Sequence, residues 1–445
     1  MLPSLNSTTT KEVQRKRTAI LAQRWQNCAA NTYYTLNRIQ LLCLGLWPYQ
    51  ASTCRYILIT LVSIMLASSV VFQLTVFITK KYSLELLLHV LAYSIPWLIY
   101  ALKYNLHCLN IKKVEVLLER IQHDWSILNN AREIEIIKKY SAIGKFITLL
   151  VILFIYVSTF VFIVIELVSI FLLDIAADVN ESNIRRLPIL MECFVDQQKY
   201  FFVCLLSIFL IVLCGFATVA ATETFYMSLI QHACGLFQIA SYRIEQALHK
   251  DVVRDITSLV ERNTMIYLRI ISGINMHKRA IEFLEMSKAS YKSTYFVLVP
   301  LGVLSVSVNL YRLSLLITIK DYHELIISFM FVLGQFWYMF FVNYIGQEVI
   351  DHSGNVFHRI YNAHWYVAPL KTQKLLLYLM QRSIRHCTIV IGGLFVPSLQ
   401  GFATVKRQFL KLKVFSSNVL TPFEHQGRVV GEALCLASRS GMKRR

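Results

Sequence analysis

Six stretches of the chain are apolar on every side rather than along one stripe, at residues 56–79, 84–100, 146–173, 200–222, 294–317 and 325–345. About 20 apolar residues at ~1.5 Å rise cross the ~30 Å hydrocarbon layer of a bilayer. Lipid offers no partner to a bare peptide group, so each stretch must close its hydrogen bonds within a helix. The pattern predicts an all-α, polytopic transmembrane bundle.

Between these stretches the pattern changes to a single apolar stripe. Residues 224–293 hold almost no Gly or Pro, and Leu236, Ile239, Ala240, Ile244 and Leu248 recur at helical spacing with charge between them. They read as extensions of the fourth and fifth helices beyond the membrane. A second striped piece runs from 371 to 387, with Leu375, Leu376, Leu379 and Met380 on one side and Lys374, Gln381, Arg382 and Arg385 on the other. An apolar stripe outside lipid must be covered, either inside one subunit or by an assembly platform between subunits. The pattern does not separate those two readings.

Charge supplies the orientation. Of the 45 Lys and Arg residues, 29 fall in segments 1–55, 101–145, 224–293 and 346–386, against 6 in loops 80–83, 174–199 and 318–324. The positive-inside rule then places the N-terminus in the cytoplasm, an inverted topology for a chain of this type. The net charge of +19 marks the cytoplasmic face, where anionic membrane lipid attracts it, and calls for no nucleic acid. The first 55 residues carry no early apolar core of a cleavable signal, so the first helix is expected to act as its own. Segment by segment, 1–55 is a cytoplasmic lead, 56–345 the bundle, 346–387 a cytoplasmic anchor, 388–405 the start of a last helix and 406–445 a basic, disordered tail. The ten cysteines fall mostly in cytoplasmic or membrane positions, Cys193 alone lying in an outside loop apart from Cys435 in the tail, which argues against a disulfide framework. Asn180 opens an Asn-Glu-Ser acceptor in a loop that charge counting puts outside, a candidate for glycosylation.

Catalytic and metal-binding patterns are not found. There is no CxxC, HExxH, GxSxG or Walker loop. Asp351, His352 and Ser353 are consecutive, and side chains about 100° apart on a helix do not converge into a triad. His352, His358 and His364 recur every six residues and share no face for a metal. The chain reads as a non-enzyme without a cofactor.

Polar and aromatic residues inside the apolar stretches fall in stripes. The second carries His89, Tyr93 and Trp97, the third Thr159, Phe162, Glu166 and Ser169, the fourth Tyr200, Cys204 and Ser207, and the sixth Ser328, Phe331, Gln335 and Tyr338. Such groups face the bundle interior or a cavity, because lipid does not satisfy them. An aromatic wall with a few hydroxyl and amide groups suits a small, volatile or otherwise apolar ligand, although the same stripes also make ordinary helix contacts. Glu166 is the most telling, since a lone carboxyl at that depth is protonated, paired or functional.

Several short segments carry a family resemblance. Leu44-Gly45-Leu46-Trp47-Pro48, Gly346-Gln347-Glu348-Val349-Ile350-Asp351-His352-Ser353, Ile360-Tyr361-Asn362 through Trp365-Tyr366, Lys371-Thr372-Gln373-Lys374 and Val396-Pro397-Ser398-Leu399-Gln400-Gly401-Phe402-Ala403-Thr404 resemble the insect odorant receptor family, over about residues 40–405. The resemblance implies a ligand-gated, non-selective cation channel of the plasma membrane with seven helices in inverted topology, forming a hetero-tetramer with a shared odorant co-receptor. It implies an odorant site in the outer half among the second, third, fourth and sixth helices. It also implies a subunit anchor to which Gln347, Glu348, His352, Tyr361, Trp365, Tyr366 and Lys374 belong, and a pore helix starting near Gly401, Phe402 and Thr404.

One departure stands out. After Val405 the chain continues with Lys406 and Arg407, then Lys411 and Lys413, and no membrane-length apolar run follows. Cations placed across a bilayer centre cost several kcal/mol each, on the order of 2.5–3.5 kcal/mol by insertion scales. The expected pore helix is therefore cut short, and the chain is expected not to conduct as it stands. Rival readings are a gustatory receptor of the same layout, a G-protein-coupled receptor, which needs its N-terminus outside, and a small-molecule transporter, which needs internal repeats that are not visible.

Overall fold

The structure is a computed structural model that describes residues 19–176, 187–192, 194–249, 258–319, 322–391, 395–404 and 407. Asn180, Cys193, Cys435 and the tail from 408 onward lie outside the described residues. Among those described, the fold is helical throughout, the sole β pairing being an isolated bridge between Ile391 and Phe395. The helices are α1 (Asn31–Cys43), α2 (Ser52–Leu74, with a one-turn continuation Val76–Thr79), α3 (Leu84–Leu109), α4 (Ile111–Ser126), α5 (Ala131–Ala176), α6 (Phe201–Ala247), α7 (Leu259–Ile319), α8 (Tyr322–Asn362) and α9 (Leu370–Ile384). Six of them, α2, α3 and α5 to α8, are long and apolar enough to cross a membrane. They correspond one for one to the six stretches read from the sequence, and the chain is a multi-pass membrane protein. In the most apolar window of each, between 22% and 44% of residues are buried within the chain, so most of that surface faces outward and needs lipid or another subunit to cover it.

Helix lengths explain the shape. α6 has 47 residues and α7 has 61, far beyond the ~20 a bilayer requires, so both project out of the apolar layer. Both run beyond the apolar stretches 200–222 and 294–317 into 224–293, of which 250–257 lie outside the described residues. α6 is the central post, buried almost without interruption from Ala220 to Phe237. Ala220, Ala221, Ala233 and Ala240 keep its surface shallow enough for neighbouring helices to approach. Gly215 has the same use higher up, where any Cβ would strike the indole of Trp97 on α3.

α4 was not anticipated from the pattern. Its stripe of Val114, Leu117, Leu118, Ile121 and Trp125 is fully buried, but it is too short and too charged on its other side to register beside the membrane stretches.

Two local features position the site. Ser83 caps α3, its hydroxyl accepting from the Leu86 N–H at 3.0 Å. Pro96 then interrupts the α3 ladder by removing the donor to the carbonyl of Ala92. The Asn309 side chain on α7 donates to that carbonyl at 3.2 Å, so the freed acceptor is met from the neighbouring helix.

The C-terminal end corrects one boundary. Residues 388–405 do not form the start of a helix as a block: the chain leaves α9 extended, makes the Ile391–Phe395 bridge, and becomes helical only at Leu399. Pro397 fits the delay, because it has no N–H to give a helix that began earlier. Ser398 caps the new helix by accepting from the Gly401 N–H at 3.0 Å. Asn343 and Gln347 on α8 accept the Ser398 and Leu399 N–H groups at 2.9 and 3.3 Å, and Gly346 between them has no room for a Cβ against the Pro397 backbone.

Candidate ligand site in the outer half of the bundle

The outer end, in the orientation read from charge, is where α7 finishes and α8 begins. Three elements deliver their stripes there. On α3, Tyr93 and Trp97 are buried and His89 is half-buried, tilted on Tyr93 with ring centroids 5.4 Å apart. On α5, Thr159, Phe162 and Glu166 are all buried, Thr159 being satisfied by the Ile155 carbonyl at 2.8 Å. On α8, Ser328 is buried and Phe331 and Gln335 are half-buried; Phe331 meets Tyr93 edge to face at 5.5 Å, and the Gln335 amide donates to Ser305 Oγ at 2.8 Å.

The fourth-helix stripe needs correction. Ser207 is exposed and bonded to its own helix at the Val203 carbonyl, Tyr200 is 45% exposed, and Cys204 is half-buried. α6 turns Phe201, Leu205, Ile208 and Val212 inward instead, an i, i+4, i+7, i+11 row of pure hydrocarbon. A polar stripe and an apolar row compete for the interior, and at this level the apolar row takes it.

Residues that the stripes missed complete the site. Arg312 on α7 is buried, pairs with Glu324 on α8 at 2.6 Å, and lies 5.0 Å above the Tyr93 ring centroid. His323 stands at the rim with its Nε2 3.8 Å from Glu166 Oε2. Several buried polar atoms here have no hydrogen-bond partner: Trp97 Nε1, Glu166 Oε1, Ser328 Oγ and Gln335 Oε1. Buried polar atoms are nearly always satisfied, so the atoms left bare here are ones that a guest or water can meet. A lone Arg in an apolar run was the available signal for Arg312; that its partner is Glu324 required the folded arrangement.

Deeper, towards the cytoplasmic side, a second polar cluster is differently built. Lys103 on α3 pairs with Glu223 on α6, and Tyr295 and Tyr338 donate to the same carboxylate at 3.1 and 2.8 Å. A small cavity beside it is lined by Lys103, His107, Asn110, Thr222, Glu223, Tyr291 and Tyr295 among others. Beyond the membrane, Asp124 on α4 binds Arg279 on α7 at 2.6 Å and His232 on α6 at 3.1 Å. Burial pushes the Asp124 carboxyl up, but the hydrogen bonds and charge from His232 and Arg279 outweigh it and hold the group below the usual carboxylate range. Among the described residues, no three His, Cys, Asp or Glu side chains gather as a metal site.

With this geometry in place, comparison with known proteins becomes decisive. The 7tm Odorant receptor family matches residues 83–408, which span every membrane helix but the first. The chain belongs to the odorant receptor family. Two solved relatives share the fold of this odorant receptor: olfactory receptor OR5 of Machilis hrabei in complex with eugenol, at TM-score 0.69, 13% identity and coverage of 88% of this chain and 97% of that one, and the same receptor at TM-score 0.68, 13% identity, 86% and 97%. No protein of curated function matches it.

Most of the segments that carry the resemblance lie on α8, α9 and the chain that follows, Leu44–Pro48 being apart from them. His352 accepts or donates to the Tyr140 hydroxyl at 2.7 Å and sits 3.9 Å from Glu348, while Gln347 donates to Asp351 at 2.8 Å. Trp365 is half-buried, whereas Tyr361 and Tyr366 are 61% and 63% exposed and Lys374 is exposed. Gly401, Phe402 and Thr404 occupy the short helix after Ser398, with Phe402 edge to face on Phe340 of α8 at 5.7 Å. The eight described cysteines are free.

Proposed function

We propose that this receptor is the ligand-binding subunit of an odorant-gated, non-selective cation channel in the plasma membrane of a sensory neuron. It has its N-terminus in the cytoplasm and works in a hetero-tetramer with an odorant co-receptor. One observation carries the reading: α8 touches both ends of the device. Its Ser328, Phe331 and Gln335 line the outer site, and its Asn343, Gly346 and Gln347 hold the backbone of the last helix. Fifteen residues separate Phe331 from Gly346, so the two contacts are about 22 Å apart on one rigid rod. A ligand that prefers one setting of α8 thereby biases the helix that follows Ser398, by no more than its difference in affinity for the two settings. Tyr361, Tyr366 and Lys374, exposed on a limb outside the apolar layer, are the surface offered to neighbouring subunits.

Conduction is a separate matter. The cations at 406, 407, 411 and 413 lie within 14 residues of Leu399, where the last helix starts, so we propose that this subunit binds odorant without contributing an intact pore wall. Co-expressed with the co-receptor, the chain as written yields no odorant-evoked current, and grafting the co-receptor's apolar pore segment in place of 406–445 yields one. Robust current from the unaltered chain overturns the conduction statement. Silence from the graft, at normal surface expression, overturns the receptor reading.

A further inference from the structure

The geometry points to a protonated amine as the ligand class of the outer site. This rests on the ligand site proposed above and adds which chemistry it selects. Glu166 is 97% buried by its 3% relative exposure, and its Oε1 has no hydrogen-bond partner. Its other oxygen is 3.8 Å from His323 Nε2, too far for a hydrogen bond. The buried cation nearby is not free to neutralise it, because Arg312 is engaged by Glu324 at 2.6 Å and lies over the Tyr93 ring. Lys80 is exposed at the rim.

With Glu166 ionised, the charges of Arg312 and Glu324 cancel and the described residues leave the site one positive charge short. An ammonium group supplies that charge together with three donors, which match the bare acceptors on Glu166 and Ser328. Phe331, edge to face with Tyr93, offers the apolar body of such a ligand an aromatic contact, and ring faces also attract a cation. Among the described residues, an anionic ligand meets two carboxylates, with Arg312 held by Glu324 and Lys80 out at the rim. A neutral carbonyl finds a donor only if Glu166 is held protonated.

The test uses the full chain in lipid nanodiscs, with empty nanodiscs as the partition control, and probes of one ring size: 2-phenylethylamine, 2-phenylethanol, acetophenone and phenylacetate. The amine is expected to bind about tenfold or more tighter than the alcohol, with acetophenone and phenylacetate weaker still. Glu166→Gln is expected to remove that advantage, and the thermal unfolding of the variant in detergent reports that it is folded. Ser328→Ala weakens the amine less. If acetophenone or phenylacetate ranks first, or Glu166→Gln leaves the ranking unchanged, the amine assignment fails while the ligand site stands. If none of the four binds, the site reading fails and the assignment goes with it.

Discussion

The outer and inner halves of the bundle treat a buried carboxylate in opposite ways. Among the described residues Asp124, Glu133, Glu166 and Glu223 are the buried acids. In the inner half and the cytoplasmic limb each is clasped from at least one other helix: Glu223 by Lys103, Tyr295 and Tyr338, Asp124 by Arg279 and His232, and Glu133 by both Nε and Nη2 of Arg243 at 2.7 Å. In the outer half Glu166 has one distant neighbour and one bare oxygen. The satisfied acids tie helices into a fixed frame, while the unsatisfied one ties nothing among the described residues. On the function proposed above, frame and ligand site lie at different depths of the same helices.

The contrast makes quantitative demands. The greatest effect belongs to Glu223→Ala, which strands Lys103 in the interior and should cost about 3–5 kcal/mol in the thermal unfolding of detergent-solubilised receptor. Replacing both partners by apolar residues, Lys103→Met with Glu223→Leu, should recover most of that loss; if the double variant is as unstable as the single one, the pair is not the source. Asp124→Asn comes next, at about 1.5–3 kcal/mol, because charge-assisted bonds to Arg279 and His232 become neutral ones. The sign with pH is fixed by the direction of its shift. A carboxyl held below its unfolded value stabilises the fold above that unfolded value, and the contribution disappears as pH falls through the depressed folded value. Wild-type receptor should therefore lose stability on acidification more steeply than Asp124→Asn, and parallel pH curves would remove Asp124 from the frame. Smallest of all should be Glu166→Gln without ligand, neutral to about 1 kcal/mol stabilising, since it removes an unpaired buried charge. A loss as large as that of Glu223→Ala would erase the distinction between the two halves.

Much of the site could be read along the chain, and the misses have a common cause. Tyr93, Trp97, Phe162, Glu166 and Ser328 recur with a helical period and are buried as that period implies. Tyr200 and Ser207 recur with the same period and face outward, because a period specifies that residues share a face and not which face it is. Arg312 and Glu324 were invisible as a pair since they lie on two helices, one near the end of α7 and one in the first turn of α8. The late start of the last helix had a local signal in Pro397, yet its docking on Asn343 and Gln347 did not.

What the chain settles before it folds is where it enters and leaves lipid and which side its cations keep to. Transfer into hydrocarbon is costed residue by residue along a helix, so no distant contact is needed to know it. What awaits the folded bundle is which face of each helix turns inward and which buried charge finds a partner. Those outcomes depend on side chains a hundred or more residues apart arriving within about 3 Å of one another, as Asn309 does beneath Pro96 and as Lys103 does beside Glu223, and a linear pattern holds no record of that meeting.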